Sequence, residues 1–153
     1  MADIDEIMYL IDWKRSDMEQ KKGVAMARDI SCLTAFFLPV GPGYSKSVWD
    51  NCAIIITERS DEELEPHIDK MLFWLEDLNW PGAERIQRRL IQFKKLDVLR
   101  MCINAIVPVL DSLHKETWLR SLAELLQNEA LKSSLNDDVR GTLSSLLRDN
   151  KQY

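Results

Sequence analysis

The sequence predicts an all-α fold, and three observations lead to that class. Side chains that can cap a helix, each followed by an amphipathic run, recur along the chain. Glycine and proline number only five each in 153 residues, and one loop, 39-PVGPGYSKS-47, is rich in both. The one strand-like run, residues 54–56, has no second strand to pair with, so we expect helix there as well.

The first three helices are predicted from apolar stripes and from helix caps. Residues 3–13 carry a helical stripe of isoleucine, methionine and leucine. Ser16, with Glu19 three positions later, has the spacing of a capping box, in which each side chain bonds the other residue's backbone N–H. Ser47, with Asp50 three positions later, is the next expected cap and leads into a run that we interpret as helical.

A second capping box starts at Ser60 and precedes the most strongly amphipathic helix of the sequence, at about residues 61–78. Asn79 is expected to cap the helix after it, with Pro81 in the first turn, where a missing N–H has no cost. The inner face of the 61–78 helix is predicted to hold six apolar side chains: Leu64, Ile68, Met71, Leu72, Leu75 and Leu78.

The last third of the chain predicts three more helices. Residues 96–113 are apolar over a wide arc, so we expect this helix to be buried on more than one side. Pro108 lies within it and is expected to bend or break it. Two further helices are predicted at about 115–127 and 137–149, with a short helical turn between them.

The predicted helices share a rhythm that favours a repeat fold. Anchor residues near helix starts are spaced to leave room for about two helices per unit: Trp49, Trp80, Trp118 and Val139. We therefore predict a single α-helical repeat domain over residues 1–153, with HEAT-like stacked helical hairpins, a short α-solenoid of about eight helices. The tryptophans are expected to fill gaps between helices, with their indole N–H groups bonded locally.

Composition limits the classes of partner. The formal net charge is −5, and an acidic surface repels phosphate backbones, so we expect no nucleic-acid ligand and instead a basic protein partner. No apolar run approaches the roughly 18 residues of a membrane span, and the first residues lack the basic region of a signal peptide. Three cysteines, interpreted as buried free thiols, suit a reducing compartment. The expected location is the cytoplasm, with no membrane partner.

The residue types used in catalysis occur without the spacing that catalysis needs. His67 and His114 have no second ligand at metal-binding spacing, and we interpret them as a surface histidine and a helix-end histidine. Cys32, Cys52 and Cys102 have no basic neighbour in sequence and are interpreted as structural thiols. The sequence therefore predicts no enzyme, and no cofactor, metal or small-molecule substrate.

Charge is distributed unevenly around the middle of the chain. Residues 58–77 hold eight acidic and two basic side chains, whereas residues 84–100 hold six basic and two acidic ones. Either adjacent helices pair these charges or expose them to solvent, or the acidic helix is a binding face. Phe73 favours a binding face, because it falls on the polar side among carboxylates, where another helix or a partner must cover it. The candidate partner-binding residues are Glu62, Glu65, Asp69, Phe73, Glu76 and Asp77.

Two runs carry a resemblance to a known family: 44-YSKSVWDNCAIIITERSDEELEPHIDKMLFWLEDLNWPGA-83 and 11-IDWKRSDMEQKKGVAMARDI-30. They resemble a family of small, uncharacterised bacterial all-helical proteins with a W-L-x-D-x-N-W-P-G-A motif, and the C-terminal third resembles it more loosely. The resemblance implies a gene beside that of a bacterial polymorphic toxin and a role as the toxin's immunity partner. It supplies no catalytic residues.

These observations predict an immunity protein that binds a cognate basic toxin, such as a nuclease, and blocks its active site by occlusion. The alternative is a HEAT-like adaptor that scaffolds a cellular complex. A third class, helical-repeat enzymes that excise damaged DNA bases, requires a basic groove, and the net charge of −5 argues against one.

Overall fold

The computed structural model describes the backbone of residues 3–150 and the side chains of residues 3–147. Within these residues no β-strand forms, and one isolated bridge pairs Gly41 with Tyr44. The predicted all-α class is confirmed. The helices are α1 Ile4–Leu10, α2 Asp17–Ala27, α3 Trp49–Thr57, α4 Asp61–Leu64, α5 Ile68–Trp74, α6 Ala83–Ile91, α7 Leu96–Ser112, α8 Glu116–Ala123, α9 Glu129–Ser134 and α10 Asp137–Asn150.

Short 3-10 turns join several of these helices. The turn Glu65–His67 joins α4 to α5, so the two form one interrupted helix, and the turn Glu124–Gln127 extends α8. Counted in this way, the described residues form nine helices, close to the eight predicted. The helices expected at 115–127 and 137–149 correspond to α8 with its turn and to α10.

Both predicted capping boxes form. At α2, the Ser16 hydroxyl accepts a hydrogen bond from the Glu19 N–H at 3.2 Å, and the Glu19 carboxylate accepts one from the Ser16 N–H at 3.4 Å. At α4, Ser60 and Glu63 make the same pair of bonds at 3.2 and 3.4 Å. Each box satisfies two backbone donors that the first helical turn leaves without partners.

The predicted cap at Ser47 is wrong. α3 begins one residue after Val48, without a side-chain cap, and Ser47 lies in a 3-10 turn before it. The Ser47 hydroxyl instead donates to the Asp12 carboxylate at 2.8 Å, and the Ser47 carbonyl accepts the Trp13 N–H at 3.0 Å. The Ser47 hydroxyl, which was expected to cap α3, therefore forms a tertiary hydrogen bond with Asp12 at the end of α1.

Pro66 divides the helix predicted at 61–78. Proline has no N–H for the bond to the carbonyl four residues earlier, and here the chain tightens into the 3-10 turn between α4 and α5. The helix then ends at Trp74 rather than near residue 78. The predicted inner face is nevertheless correct, with five members buried and Leu78 half-buried: Leu64, Ile68, Met71, Leu72 and Leu75.

The run after α5 is a joint between helices, as predicted, but Asn79 does not cap α6. Asn79 is exposed, and α6 begins after Gly82, whose φ of +83° lies in the left-handed region. A Cβ at Gly82 would lie 2.6 Å from the Ala53 Cβ and 3.0 Å from the Trp49 carbonyl oxygen. The joint therefore lies directly against α3, at a distance that only glycine permits.

α7 is buried on one side only, which corrects the sequence prediction. Its inner face holds Leu99, Ile103, Val107 and Leu110, all buried. On the outer side, Met101, Val109 and Leu113 are 65%, 53% and 59% exposed. Pro108 also lies on the exposed side and does not break the helix, which runs without interruption for 17 residues.

The helices pack as two series of neighbours. In one series α3 contacts α6, and α6 contacts the turn that extends α8. In the other, α5 contacts α7, and α7 contacts α9 and α10. One hydrophobic cluster runs through the described side chains from Ile7 to Leu143. This is stacked helical packing; the more specific HEAT-like solenoid remains a prediction, as does a single domain over 1–153, which extends beyond the described residues.

A network of charged side chains ties the helix ends together. The Arg89 guanidinium in α6 contacts the Asp61 carboxylate at 2.6 Å and donates to the Arg59 carbonyl at 2.9 Å. The same carboxylate accepts the Lys94 N–H at 2.9 Å. The Arg59 side chain donates to the Ala27 and Ile30 carbonyls, both at 2.7 Å, at the end of α2. The segment between α3 and α4 is thereby fixed to α2 on one side and to α6 on the other.

Alanine substitutions at three glycines distinguish the two constraints on the joint, which are the left-handed φ of Gly82 and its close contact with α3. Gly82→Ala is expected to lower the free energy of unfolding by about 2–4 kcal/mol, because it combines a left-handed φ with a collision against α3. Gly43→Ala has the same kind of φ in open space and should cost about 1 kcal/mol. Gly141→Ala, in open space within α10, should be neutral or stabilising by up to about 1 kcal/mol. Urea unfolding measures all three, and equal losses for Gly82→Ala and Gly43→Ala would show that α3 does not constrain the joint.

Asp61→Asn is expected to lower the free energy of unfolding by about 1–3 kcal/mol at neutral pH, because it removes the charge from a bonded pair. Partial burial alone would raise the pKa of the Asp61 carboxyl, but the Lys94 N–H and the Arg89 guanidinium outweigh it and hold that pKa below its usual range. The stabilisation is therefore complete above the unfolded pKa of about 3.9 and disappears as pH falls through the lower folded pKa.

The measurement for Asp61 is urea unfolding of the wild-type and Asp61→Asn proteins between neutral and strongly acidic pH. The difference between them should shrink as pH falls. Glu62→Gln is the matched control, because Glu62 is exposed with no ion pair within the described residues, and its effect should stay within about 0.5 kcal/mol. A pH-independent difference for Asp61→Asn would contradict the role of its charge.

Candidate protein-binding site

Four of the six predicted site residues lie on one side of the α4–α5 segment, away from its buried row. They are named here the acidic face: Glu62, Asp69, Phe73 and Glu76. Asp69, Phe73 and Glu76 are three and four residues apart, as neighbours on a helix are, whereas Glu62 lies in α4 before the 3-10 turn. Glu62 and Asp69 are exposed, and Glu76 is half-buried in the turn after α5. None of the three carboxylates has an ion pair or hydrogen bond within the part of the chain that the structure describes.

The other two predicted residues have partners on the chain. The Glu65 carboxylate lies 4.0 Å from the Lys95 ammonium. The Asp77 carboxylate accepts the Asn79 N–H at 2.8 Å and so shapes the joint. The alternative in which adjacent helices pair their charges thus holds for Glu65 and for Asp61, while the carboxylates of the acidic face stay unpaired within the described residues.

Phe73 is the apolar centre of the acidic face. Its side chain is 48% exposed, so no helix covers it within residues 3–147. Its ring lies 6.2 Å from the Trp80 ring and meets the Trp118 ring edge-on at 5.6 Å, measured between centroids. Two tryptophans therefore hold the phenyl ring in place while leaving about half of it open to solvent.

These rings belong to an aromatic row that crosses the joint. Trp49 at the start of α3 meets Trp74 at 6.5 Å and Trp80 at 5.8 Å, both edge-on. Three indole N–H groups donate to nearby carbonyls: Trp49 to Pro39 at 2.8 Å, Trp74 to Pro81 at 3.0 Å and Trp118 to Leu72 at 3.0 Å.

The predicted structural role of the tryptophans, in which the indole N–H is bonded locally, is confirmed for Trp49, Trp74 and Trp118. Trp80 does not head a helix as expected, since it lies in the joint before α6. Trp74 is fully buried, whereas Trp13 is 51% exposed.

Sequence reasoning missed an apolar surface on α7. The exposed side of this helix and its C-cap residue carry a row named here the apolar stripe: Met101, Ala105, Val109 and Leu113, preceded by the half-buried Val98. Their spacing of three or four residues places them on one face. The signal was present in the sequence, but the wide apolar arc was interpreted as burial on two sides, and periodicity alone does not distinguish a buried face from an exposed one.

His67 is not the surface residue that was expected. Its ring stacks on Phe37 with centroids 4.9 Å apart, and its Nδ1 is buried without a hydrogen-bond partner within the described residues. Burial lowers the pKa of His67, and the nearby Lys70 ammonium lowers it further. The 3-10 turn at Pro66 places the His67 ring against Phe37. His114 lies in the turn that follows the end of α7, close to the helix end expected for it, with a left-handed φ of +57°.

The three cysteines differ in exposure. Burial raises the pKa of the Cys52 thiol, as expected for a structural residue, and Cys102 is half-buried. Cys32 is exposed, which corrects the prediction that all three are buried. Hydrogen bonds of Thr34 lower the pKa of the Cys32 thiol, and Lys70, distant in sequence, acts in the same direction. The extended residues before the 3-10 turn Leu33–Phe36 bring Cys32 to the surface.

The described part of the chain contains neither a cluster of metal ligands nor a membrane-spanning helix. No group of three or more His, Cys, Asp or Glu side chains is placed to hold a metal ion. No described helix combines the length and apolar character of a membrane span.

One family of known sequences matches this chain. A domain of unknown function, DUF5071, matches residues 46–153, which include the acidic face, the joint and the apolar stripe. The match extends through the C-terminal third, where the resemblance to the bacterial helical family is looser, and does not include residues 11–30. No curated protein and no solved structure matches the chain. The chain belongs to the DUF5071 family.

Proposed function

We propose that this protein is an immunity protein that binds a cognate basic toxin through the acidic face and covers the toxin's active site. One observation supports the proposal: the half-exposed ring of Phe73 packs between two tryptophans and lies among carboxylates that have no ion pair within the described residues. A fixed aromatic anchor with a charged border is the arrangement found at the energetic centre of protein interfaces.

The free carboxylates give the acidic face its preference for a basic partner. Carboxylates that are paired within the chain, such as Asp61 with Arg89, have their field largely cancelled locally. Glu62, Asp69 and Glu76 keep theirs, in a protein whose net charge is already −5. Such a field accelerates the encounter with a positively charged protein, and fast capture is what an antidote requires.

The toxin class follows from the family resemblance and from charge. The resemblance carried by the runs 11–30 and 44–83 implies a gene beside that of a polymorphic toxin. A toxin that cleaves nucleic acid is commonly basic, because its substrate is a polyanion. An inhibitor that acts by occlusion contributes no catalytic group. It would act in the cytoplasm of the cell that makes it, where the toxin finds its target.

The second candidate function is that of an adaptor that scaffolds a cellular complex. The stacked packing of α3, α6 and the α8 extension, with α5, α7 and α10 alongside, favours it, because stacked helical pairs present extended binding surfaces. Co-purification with the product of the adjacent gene, followed by an assay of that product's toxicity, separates the two. Stoichiometric inhibition supports the immunity protein, whereas stable incorporation into a housekeeping complex, with no effect on the neighbouring product, supports the adaptor.

Reversing the charge of Glu62, Asp69 and Glu76 to Lys is expected to slow association with the adjacent gene's product by about 10- to 1,000-fold at low ionic strength. The salt dependence of the association rate should flatten as well, since the attractive field is lost. Stopped-flow fluorescence across a series of salt concentrations measures both quantities.

The matched control reverses Glu6, Asp29 and Glu129, which are exposed elsewhere and change the net charge by the same amount. It should slow association far less. If the two triple variants behave alike, net charge rather than the acidic face governs capture.

Phe73→Ala is expected to weaken the complex by about 2 kcal/mol or more, because the anchor is lost from the centre of the interface. Titration calorimetry with the same partner measures the change, and circular dichroism checks that the helices remain. Met18→Ala removes another exposed apolar side chain, far from the acidic face in sequence, and should leave affinity unchanged. Unchanged affinity for Phe73→Ala would place the interface on another surface.

A further inference from the structure

A groove opens beside Phe73, between α5 and the segment that connects α2 to α3. Residues 32–39 of that segment are named here the strap. The groove is lined by three side chains from the strap and three from α5: Thr34, Phe37, Leu38, Asp69, Lys70 and Phe73. Its volume is about 520 Å³, which is in the range of pockets that hold small ligands. The acidic face therefore has a recess at its apolar centre.

Two contacts hold the strap against the rest of the fold. The Phe37 ring stacks on the His67 ring with centroids 4.9 Å apart. The Pro39 carbonyl accepts the Trp49 indole N–H at 2.8 Å. Between them, Leu38 has a left-handed φ of +50°, which leucine rarely adopts, and residues held in such conformations cluster where ligands bind. The wall that the strap contributes to the groove is thus in place before any ligand enters.

The cation of the groove lies on the side of the strap. The Lys70 ammonium is 5.8 Å from the Phe37 ring centroid, which is the geometry of a cation–π contact. Hydrogen bonds of Thr34 lower the pKa of the Cys32 thiol in the strap, and Lys70 acts in the same direction. Lys70 therefore lies beside the strap and already has an aromatic partner there.

The carboxylate of the groove lies on the side of α7. Burial raises the pKa of the Cys102 thiol in α7, and the Asp69 carboxylate raises it further, so the two side chains are close. Asp69 also precedes Phe73 by four residues, which makes their side chains neighbours on α5. This side of the groove thus combines a half-exposed aromatic ring with a carboxylate that has no ion pair within the described residues.

Charge decides which occupant fits this groove. Along α5 and the turn after it, four charged side chains lie within about one helical turn of Phe73: Asp69, Lys70, Glu76 and Asp77. Three of the four are carboxylates, and the ammonium already lies over a ring, so the charge around Phe73 favours a cation. Arginine fits better than lysine, because its planar guanidinium stacks on an aromatic face and makes two parallel hydrogen bonds to one carboxylate.

We infer that this groove takes one arginine side chain of the protein partner. The guanidinium lies on the open face of Phe73 and donates two hydrogen bonds to the Asp69 carboxylate, while the apolar stem of the arginine lies against Leu38. The ring and the strap keep water from the ion pair, which strengthens it relative to a pair on an open surface. The inference rests on the proposed function in taking the acidic face as the partner-binding surface, and it specifies the side chain that the partner presents there.

The probe is the blocked tripeptide acetyl-glycyl-arginyl-glycine amide, added to the full-length protein labelled with ¹⁵N and followed by NMR. We expect saturable shifts of the amide signals of the strap and of α5. Asp69→Asn is expected to weaken binding about tenfold, because the charge-assisted hydrogen bonds are lost. Phe73→Leu keeps an apolar side chain but removes the ring, and it is expected to weaken binding about threefold or more.

Glu62→Gln is the matched control. It removes a carboxylate from the part of the acidic face that lies outside the groove. Binding of the arginine tripeptide should stay within about twofold, because an exposed charge outside the groove contributes little to a single contact. A loss as large as that of Asp69→Asn would show that net charge, and not the groove, binds the peptide, and it would overturn the inference.

Tripeptides with lysine, leucine or glutamate in place of arginine test the chemistry of the occupant. The lysine and leucine peptides should bind about threefold more weakly or worse, since neither makes both the stacking and the paired hydrogen bonds. The glutamate peptide should give no saturable shifts. Equal or tighter binding of any of the three would assign the groove to another occupant and overturn the inference. The absence of saturable shifts in the strap and α5 with the arginine peptide would overturn it as well.

Thr34→Trp separates the inference from the proposed function. It fills the groove from an exposed position on the strap and leaves every charge of the acidic face in place. It should weaken capture of the adjacent gene's product about tenfold or more, with the helices intact by circular dichroism. Capture that is intact in Thr34→Trp but lost in the triple charge reversal of the acidic face would overturn the inference alone. If the wild-type protein neither captures nor inhibits that product, the proposed function fails, and the tripeptide titration decides the groove by itself.

Discussion

The backbone of Gly82 rests on α3, and the positions of the neighbouring aromatic side chains depend on this contact. The absence of a Cβ lets the joint approach Ala53 and the Trp49 carbonyl more closely than any other residue would allow. That approach brings Trp80 against Trp49, and Trp80 in turn supports Phe73. A steric requirement in the interior thereby sets the orientation of a ring on the surface, as the anchor proposed at Phe73 requires.

Local chemistry determines the parts of this fold that sequence reasoning predicts well. The capping boxes at Ser16 and Ser60 depend on residues three positions apart, so their form is independent of the rest of the chain. Ser47 and Asn79 have the same residue types, yet neither caps a helix. Ser47 bonds to Asp12, 35 residues away, and the joint places Gly82, not Asn79, before α6. Tertiary contacts that compete for a capping residue cannot be recognised from the sequence around that residue.

The candidate site was also predicted in part, for similar reasons. Helical periodicity correctly placed Phe73 on the side away from the buried row, because periodicity is a local property. It did not show that Lys95 neutralises Glu65, since that contact joins segments 30 residues apart. The outward direction of the α7 stripe was missed because the sequence does not state how many neighbours a helix has. For the same reason, the sequence does not show that His67 is buried against Phe37.

The unpaired state of the acidic face has an evolutionary consequence. Asp61 and Arg89 hold helices together, so changing either lowers the stability of the fold, whereas Glu62 and Asp69 are exposed and have no ion pair within the described residues. Substitutions at such exposed positions usually change stability by no more than about 0.5 kcal/mol. A partner bound at this proposed surface would leave recognition free to diverge between lineages while the scaffold stays constant, so that related chains with the same architecture could become mutually non-interchangeable partners.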